Sequence, residues 1–286
     1  MSAPATTPPA APVDTGAYVR LRELLGAGEV TVLTGAGMST ASGIPDYRGP
    51  DGTRRVTPMQ HAEFVRSPEG RRRYWARAYA GWRRFEAARP NVAHVALAQL
   101  ERAGLVGGVV TQNVDGLHQA AGSRAVLELH GTLSRVGCLT CGEAYAREDV
   151  HGWLALANPG FDPRAGQVQP DGDVRLPEEV VSAFRPPRCL LCDGDALKPE
   201  VVFFGGSVPR PVVDRAYAMV EAARTLLVLG SSLQVMSGLR FVRRAAALGI
   251  PVALVTRGPS RGDALVDVRL DALLGDVLPL LVDDLL

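Results

Sequence analysis

One apolar run in this chain ends in a glycine-rich turn, and that junction limits the folds that the chain can adopt. Val30, Val32 and Leu33 form a short β-favouring run, and Gly35 and Gly37 follow it directly. The glycines let the backbone turn sharply and approach a phosphate closely, while N–H groups of the next turn can bind that phosphate. The junction is typical of the first strand and phosphate loop of a nucleotide-binding α/β fold.

The motif departs from the usual dinucleotide fingerprint. G-x-G-x-x-G requires glycine at Thr40, whereas the next glycine in the sequence is Gly43. Asp46, Tyr47 and Arg48 then supply a carboxylate, an aromatic ring and a guanidinium that can position a ribose. We therefore expect residues 34–48 to hold a dinucleotide, with a simple tight turn and a solvated loop as the alternative.

Composition and charge exclude several classes of protein. The chain has 286 residues, of which 47% are hydrophobic and 21% charged, and its net charge is +1. A charge this small argues against a nucleic-acid binder, and no apolar run reaches the length of about 18 residues that a membrane span needs. Residues 1–16 lack a secretory pattern and are predicted to be a disordered tail. We expect a cytoplasmic protein without nucleic-acid or membrane partners, and a monomer rather than an oligomer.

Strand and helix patterns alternate along most of the chain, which is the rhythm of a parallel sheet. After the first strand, further strands are predicted at residues 107–111, 201–204, 225–229 and 251–255. Residues 137–197 break the rhythm, because they hold all four cysteines and several prolines. The sequence therefore predicts an α/β fold with a discontinuous dinucleotide-binding domain and an inserted module. The predicted parts are residues 17–52, 91–136 and 198–286 for the large domain, residues 53–90 for a helical part of a small domain, and residues 137–197 for the module.

The cysteines form two C-x-x-C pairs, made by Cys138 with Cys141 and by Cys189 with Cys192. Four thiolates suit a tetrahedral, closed zinc site of the structural kind. The interval between the pairs is longer than in a usual zinc ribbon, so the module is expected to carry an extra loop. A redox C-x-x-C is the alternative, but two pairs with no unpaired cysteine favour zinc.

Polar residues follow two of the predicted strands at positions where ligands of open α/β sheets bind. Asn113 and Asp115 offer an amide and a carboxylate directly after the strand at 107–111. His130 ends an apolar run just before a glycine, and an imidazole there can act as a general base near neutral pH. The alternative for His130 is a buried, hydrogen-bonded histidine, and His118 is a second candidate for the base.

Taken in order, these motifs resemble the sirtuins, the family of NAD-dependent protein-lysine deacylases. The resemblance runs from about Val30 to the end of the sequence. It rests on Gly35-Ala36-Gly37, Gly43-Ile44-Pro45-Asp46, Thr111-Gln112-Asn113, His130-Gly131, both cysteine pairs, Lys198-Pro199, Val201-Val202, Phe204-Gly205 and Gly230-Ser231-Ser232-Leu233. It implies a modified Rossmann-type parallel sheet, a smaller zinc-binding plus helical domain, and an active site in the cleft between them.

The resemblance also implies a role for each site residue. His130, Asn113 and Asp115 would be catalytic, and Val202, Phe204 and Gly205 would bind the substrate. The residues implied to bind NAD are Gly35, Ala36, Gly37, Thr40, Asp46, Tyr47, Arg48, Gln112, Asn113, Val114, Asp115, Gly230, Ser231, Ser232, Thr256 and Arg257. The zinc ligands would be Cys138, Cys141, Cys189 and Cys192.

The implied reaction moves an acyl group from a protein or peptide lysine to ADP-ribose and releases nicotinamide. NAD is then a co-substrate and zinc is structural. The acyl oxygen attacks the ribose carbon that bears nicotinamide, and His130 then activates a ribose hydroxyl. Mono-ADP-ribosyl transfer at the same site, and a non-catalytic NAD-sensing zinc scaffold, are the alternatives.

Several segments are similar to the class II branch of the family, which is associated with weak deacetylation, ADP-ribosyl transfer and removal of larger acyl groups such as lipoyl or biotinyl. Among them are Asp46-Tyr47-Arg48, Tyr74-Trp75-Ala76-Arg77 and the segment from Gly230 to Gly238. Two positions depart from the family. Thr256 replaces an asparagine that contacts the adenosine ribose, so altered NAD affinity is expected, and Gly206 replaces a glutamate where peptides dock.

Overall fold

The structure of the chain is a computed structural model that describes residues 14–46, 53, 58–161, 174 and 176–286. The predicted tail at residues 1–16 lies outside the described residues except for its last three positions. There the first helix, α1, already spans Thr15–Gly26, and the Asp14 carboxylate caps it by accepting from the N–H groups of Gly16 and Ala17.

The predicted parallel sheet is confirmed. Six strands lie in the order β3-β2-β1-β7-β8-β9, and every pairing between them is parallel. Their bounds are β1 Val30–Thr34, β2 Val106–Thr111, β3 Val126–Glu128, β7 Thr225–Leu229, β8 Val252–Val255 and β9 Val268–Leu270. The strand order reverses between β1 and β7, so the carboxyl ends of these two strands border the crevice where ligands of such sheets bind.

Helices cover both faces of this sheet. Alternate strand residues point to opposite sides, and the apolar side chains on each side need a covering layer. Val30 and Val32 of β1 belong to one buried cluster and Leu33 to the other. The first cluster includes residues of α1, α4 and α10, and the second includes residues of α8 and α9. The bounds of the further helices beside this sheet are α4 Val92–Arg102, α5 Leu117–Ala120, α8 Arg210–Glu221, α9 Met236–Ala247 and α10 Leu274–Leu285.

A second, antiparallel sheet has the strand order β5-β4-β6. Its strands are β4 Gly131–Cys138, β5 Ala144–Ala146 and β6 Leu197–Val201. Around it lie α2 His61–Arg66, α3 Pro68–Glu86, α6 Arg147–Ala157 and α7 Glu178–Ala183. The prediction of a large-sheet strand at residues 201–204 was therefore wrong. The strand ends at Val201 and alternates buried with half-buried residues, as an antiparallel strand with one covered face does.

The core of the smaller part is aromatic. Tyr74 and Trp75 of α3 pack edge to face with ring centroids 5.4 Å apart, and Phe64 packs on Tyr74 at 5.4 Å. The buried Arg147 guanidinium lies 4.8 Å from the Trp75 ring and 4.6 Å from the Trp82 ring. The Trp75 ring N–H donates to the Leu197 carbonyl at 2.9 Å, which anchors α3 beside β6. In the described part of the chain, no helix has the length and hydrophobicity that crossing a membrane requires.

Candidate active site

A cavity of 1120 Å³ lies where β1, β2, β7 and β8 end and where the loop after β6 begins. It brings together nearly all the residues that the sequence assigned to the site. Those that line it are Gly35, Ala36, Gly37, Thr40, Asp46, Gln112, Asn113, Val114, Asp115, His130, Val202, Phe204, Gly205, Gly230, Ser231, Ser232, Thr256 and Arg257. Tyr47 and Arg48 lie outside the described residues.

Three glycines let the loop after β1 pack directly on the loop after β7. The Gly37 N–H donates to the Gly230 carbonyl at 2.9 Å, and a Cβ on Gly37 would lie 2.9 Å from the Gly230 Cα. Gly230 has φ +60°, and its own Cβ would lie 2.6 Å from the Met38 nitrogen. A Cβ on Gly35 would meet the Ser231 Cβ at 2.8 Å. This close backbone packing fits the residues to a dinucleotide, whose phosphates approach such turns.

Asn113 and Asp115 are joined by Ser39, a residue of the glycine motif that the sequence analysis did not assign to the site. The Asn113 amide nitrogen donates to the Ser39 hydroxyl at 3.0 Å, and that hydroxyl donates to the Asp115 carboxylate at 2.7 Å. The Leu117 N–H also donates to Asp115, at 2.9 Å. Burial raises the pKa of Asp115, while the bonds from Leu117 and Ser39 act in the opposite direction. The signal in the sequence was the position of Ser39, two residues after the glycine pair.

His130 is held by both of its ring nitrogens. Nδ1 lies 2.9 Å from the Gln112 carbonyl, and Nε2 lies 2.8 Å from the Ser237 hydroxyl. Burial lowers the pKa of His130, the Arg240 charge lowers it further, and the Gln112 carbonyl opposes both. His130 is therefore neutral at pH 7. Because a carbonyl can only accept, the proton lies on Nδ1 and the lone pair on Nε2.

The second histidine candidate, His118, does not line the cavity. It is 1% exposed, and its Nε2 lies 3.0 Å from the Thr34 hydroxyl. Burial, together with the neighbouring His94, lowers the pKa of His118 to about 3. Its ring is thus a buried, neutral packing group below the loop after β1.

The loop that follows β6 forms the wall opposite the phosphate loop. The Val202 N–H donates to the His130 carbonyl at 2.8 Å, and the His61 N–H donates to the Phe204 carbonyl at 2.8 Å. Lys198 supports this wall from behind. Its ammonium donates to the Val201 carbonyl and lies 4.5 Å from the centre of the Phe203 ring. Burial lowers the pKa of Lys198 to about 8.

One end of the cavity is apolar and reaches into the core of the smaller part. Its lining there includes Ile44, Met59, Tyr74, Phe85, Leu133 and Phe203. Among the described residues that line the cavity, the only carboxylates are those of Asp46 and Asp115. Ser237 and Arg240, on the first turns of α9, line it as well and were not assigned to the site from the sequence.

The four cysteines meet at the edge of the antiparallel sheet. Their sulfur atoms all lie within 4.8 Å of one another, with Cys138 and Cys192 3.7 Å apart and Cys141 and Cys189 3.6 Å apart. None of the four forms a disulfide in the structure. Four sulfur atoms so close together fit a tetrahedral zinc ion. Such an ion would tie the turn between β4 and β5 to the loop before β6.

Comparison with known proteins places these features in a family. The Sir2 family profile matches residues 35–237. The NAD-dependent protein deacetylase 1 of Streptomyces coelicolor is 52% identical over 275 residues, which are 96% of this chain and 92% of that protein. The NAD-dependent protein deacylase Sirt4 of Drosophila melanogaster is 50% identical, over 91% of this chain and 84% of that protein. The human NAD-dependent protein lipoamidase sirtuin-4, mitochondrial, is 47% identical over 87% and 81%.

Solved structures agree with the sequence comparison. A Sir2 enzyme superposes with a TM-score of 0.73 at 32% identity, covering 94% of this chain and 98% of that one. Sir2 in complex with a p53 peptide and NAD⁺ superposes with a TM-score of 0.71 at 28% identity, covering 93% and 97%.

Proposed function

The chain belongs to the Sir2 family, and on that premise we propose that it removes acyl groups from protein lysines in the cavity lined by Asn113, Asp115 and His130. It is an NAD-dependent protein deacylase, as its relatives are. One observation carries the assignment of the site. The neutral His130 lines the same cavity as the glycine loops and the Asn113–Asp115 pair, and its Nε2 is the nitrogen that can accept a proton.

The residues divide the work of binding and proton transfer. When bound, NAD⁺ supplies a ribose carbon from which neutral nicotinamide can depart, so the acyl oxygen of the substrate can attack that carbon. Backbone N–H groups near Gly35 and Gly37 bind the phosphates. Asn113 and Asp115 orient the nicotinamide end, and Val202 and Gly205 hold the peptide. His130 accepts the proton of a ribose hydroxyl at Nε2, which lets the acyl group move to ADP-ribose.

Replacing the base tests this assignment. His130→Ala is expected to lower steady-state deacylation of an acyl-lysine peptide about 10²–10⁴-fold, because that is what proton transfer by a positioned base is worth. Steady-state release of nicotinamide from NAD should fall with it, since each turnover must be completed before the next molecule of NAD is cleaved. His151→Phe is a matched control, since His151 lies in α6 and is not among the residues that line the cavity. Cleavage of NAD that needs no peptide and survives His130→Ala would contradict the proposal.

Deacylation fits the comparisons better than the two alternatives, because the relatives are deacetylases and deacylases. Radiolabelled NAD separates the activities. We expect label from the adenosine side to leave as acyl-ADP-ribose. Label that stays on the protein acceptor would instead support mono-ADP-ribosyl transfer, and binding without turnover would support a scaffold.

The apolar end of the cavity supports a preference for uncharged acyl chains. Among the described residues, the side chains that line this end, such as Met59, Phe85 and Leu133, offer no cation to an acidic chain. A panel of acyl-lysine peptides with neutral and acidic chains of matched length, read by kcat/KM, checks the preference. Faster removal of an acidic chain than of its neutral counterpart would contradict it.

We also propose a compartment, the absence of nucleic-acid partners and a monomeric state for the protein. A cluster of four cysteines that suits zinc supports a reducing compartment, which we take to be the cytoplasm. The small net charge of +1 supports the absence of nucleic-acid partners. Cell fractionation, a gel-shift measurement and light scattering test the compartment, the nucleic-acid statement and the expected monomer.

A further inference from the structure

The proton-accepting nitrogen of His130 is covered by a hydroxyl. Nδ1 is committed to the Gln112 carbonyl at 2.9 Å, so it carries the proton of the neutral ring. Nε2 is then the acceptor, and the Ser237 hydroxyl lies 2.8 Å from it and donates to it. The Ser237 hydroxyl is thus hydrogen-bonded to the nitrogen that must accept a proton in the proposed reaction.

The position of this hydroxyl is fixed by the helix that carries it. Ser237 lies in the first turn of α9, which is anchored in the core by Leu239, Phe241 and Val242. The next residue, Gly238, lets α9 approach the site, because a Cβ there would come within 2.6 Å of the Gln112 side-chain oxygen. Ser237 and Gly238 therefore lie against His130 and against Gln112, whose carbonyl binds the histidine ring.

We propose that Ser237 is the positioning residue of His130, donating to Nε2 while the ring is neutral and accepting from Nε2 once the ring is protonated. The proposal rests on the function proposed above and deepens it, by adding a residue through which His130 acts. A hydroxyl can make both bonds from one place, because it carries one donor and two acceptor lone pairs.

The proton balance is simple. As a ribose hydroxyl approaches, the Ser237 O–H turns away from the Nε2 lone pair. The proton passes from the ribose hydroxyl to Nε2, the O–H bond of the ribose breaks, and a new N–H bond forms. Ser237 Oγ then accepts from that N–H, and no bond of Ser237 itself is broken. Since hydrogen bonds to charged groups are about twice as strong as neutral ones, the contact favours the protonated ring.

Other charged groups act on the same ring. Arg240 follows Ser237 on α9 and opposes protonation of His130. Asp46 and Asp115 line the cavity, and Glu128 precedes the histidine at the end of β3. None of these groups is changed by substituting Ser237, so the substitution isolates the hydroxyl.

Two variants and one control test the role. Ser237→Ala removes the hydroxyl and Ser237→Thr keeps it. Ser182→Ala removes a comparable hydroxyl from α7, where Ser182 Oγ donates to the Glu179 carbonyl at 3.0 Å on an exposed surface. Steady-state deacylation, exchange of labelled nicotinamide into NAD, and NMR titration of the His130 ring in the free protein are measured for each.

We expect Ser237→Ala to lower kcat for deacylation about tenfold, as loss of a hydrogen bond to a charged group does. Nicotinamide exchange should stay within about twofold, because the exchange step moves no proton at His130. The NMR titration midpoint of the free enzyme should move to lower pH, since the protonated ring loses an acceptor. Ser237→Thr should restore most of the deacylation rate, and Ser182→Ala should match the unsubstituted protein.

Two results would overturn the proposal. One is an unchanged kcat together with an unchanged His130 titration in Ser237→Ala. The other is an equal fall of deacylation, exchange and melting temperature, which would show a purely structural role. Failure of the proposed function is separable. It would appear as NAD cleavage that needs no acyl-lysine peptide and survives His130→Ala, and the ring titration in the free protein would then still decide whether Ser237 positions the histidine.

Discussion

At the scale of single residues, the site depends on hydroxyl groups placed between larger polar groups. Ser39 links Asn113 to Asp115, and Ser237 covers the lone pair of His130. Each of these small side chains sets the direction in which a neighbour can donate or accept. Two residues that carry no charge themselves therefore connect the polar groups of the site.

Ser39→Ala removes one of the two described donors to the Asp115 carboxylate. Burial already raises the pKa of Asp115, and the loss of this donor raises it further. If the charged carboxylate binds the cofactor, the acid limb of kcat/KM for NAD should move to higher pH. The rate at neutral pH should fall about tenfold. Ser39→Thr, which keeps the hydroxyl, should lie close to the original protein, and an unshifted pH profile in Ser39→Ala would contradict this account.

The sequence could predict that Asn113, Asp115 and His130 line one cavity, because each follows a strand and the carboxyl ends of parallel strands meet at one edge. It could not predict the contacts of Ser39 and Ser237. Those contacts join residues 76 and 107 positions apart in the chain, and they depend on how the loop after β1 and the helix α9 pack. His118 was a candidate base for the same reason: the sequence does not show that tertiary packing buries its ring below the site.

At the scale of elements, loops and strands are held by close backbone contacts and by the cysteine cluster. The central strands of the large sheet could be predicted from the sequence, because they are short apolar runs. The sequence could not predict which sheet β6 would join, because its partner β4 comes from a distant part of the chain. Pairing with β4 turned a run expected in the parallel sheet into the edge of the antiparallel one.

Gly230→Ala should weaken NAD binding through packing alone. Its Cβ would lie 2.6 Å from the Met38 nitrogen, at φ +60°. Forcing a non-glycine residue into such a conformation costs about 1–3 kcal/mol before the clash is counted. We expect a lower melting temperature and a rise of about tenfold or more in the Kd for NAD by calorimetry.

Gly152→Ala is the matched control for this substitution. Gly152 lies inside α6, and a Cβ there meets nothing within 4 Å. Alanine in an unstrained helical position stabilises by about 0.4–1 kcal/mol. Equal losses in the two variants would show that glycine content, rather than the contact between the two loops, sets the stability.

The cysteine cluster should bind about one zinc ion per chain, which releases on treatment with a thiol reagent and can be counted with a chelating dye. Cys141→Ser should lose the ion and lower the melting temperature, because the turn between β4 and β5 is then no longer tied to residues 189–192. Added zinc, but not magnesium, should restore a chelator-treated protein. Disulfides between the pairs, found by mass spectrometry of the protein as purified, would favour the redox alternative.

At the scale of the whole molecule, several buried groups are kept neutral by the fold. Burial lowers the pKa of His94 to about 4, of His118 to about 3 and of His151 to about 4. As the pH falls below the ordinary histidine value near 6.5, the unfolded chain binds protons that the folded chain does not. Each unit of pKa difference then costs about 1.4 kcal/mol of folding stability.

The urea midpoint for unfolding should therefore fall between about pH 7 and about pH 4. His151→Phe should reduce this dependence, because it removes one buried titrating ring while keeping the stack on Tyr79, whose ring centre is 4.6 Å away. The comparison of the two proteins at each pH gives the contribution of His151. An identical pH dependence would mean that the acid sensitivity comes from other groups.

Lys198 is the only lysine in the sequence, and its half-buried ammonium lies against the loop that follows β6. An enzyme that acts on acylated lysines thus offers almost none of its own for acylation. Reactive acyl donors, which label surface lysines on most proteins, would find little to modify here, so the enzyme can be mixed with them without becoming its own competing substrate. Labelling at Lys198 should be slow, since its half-buried ammonium is held by the Pro199 and Val201 carbonyls.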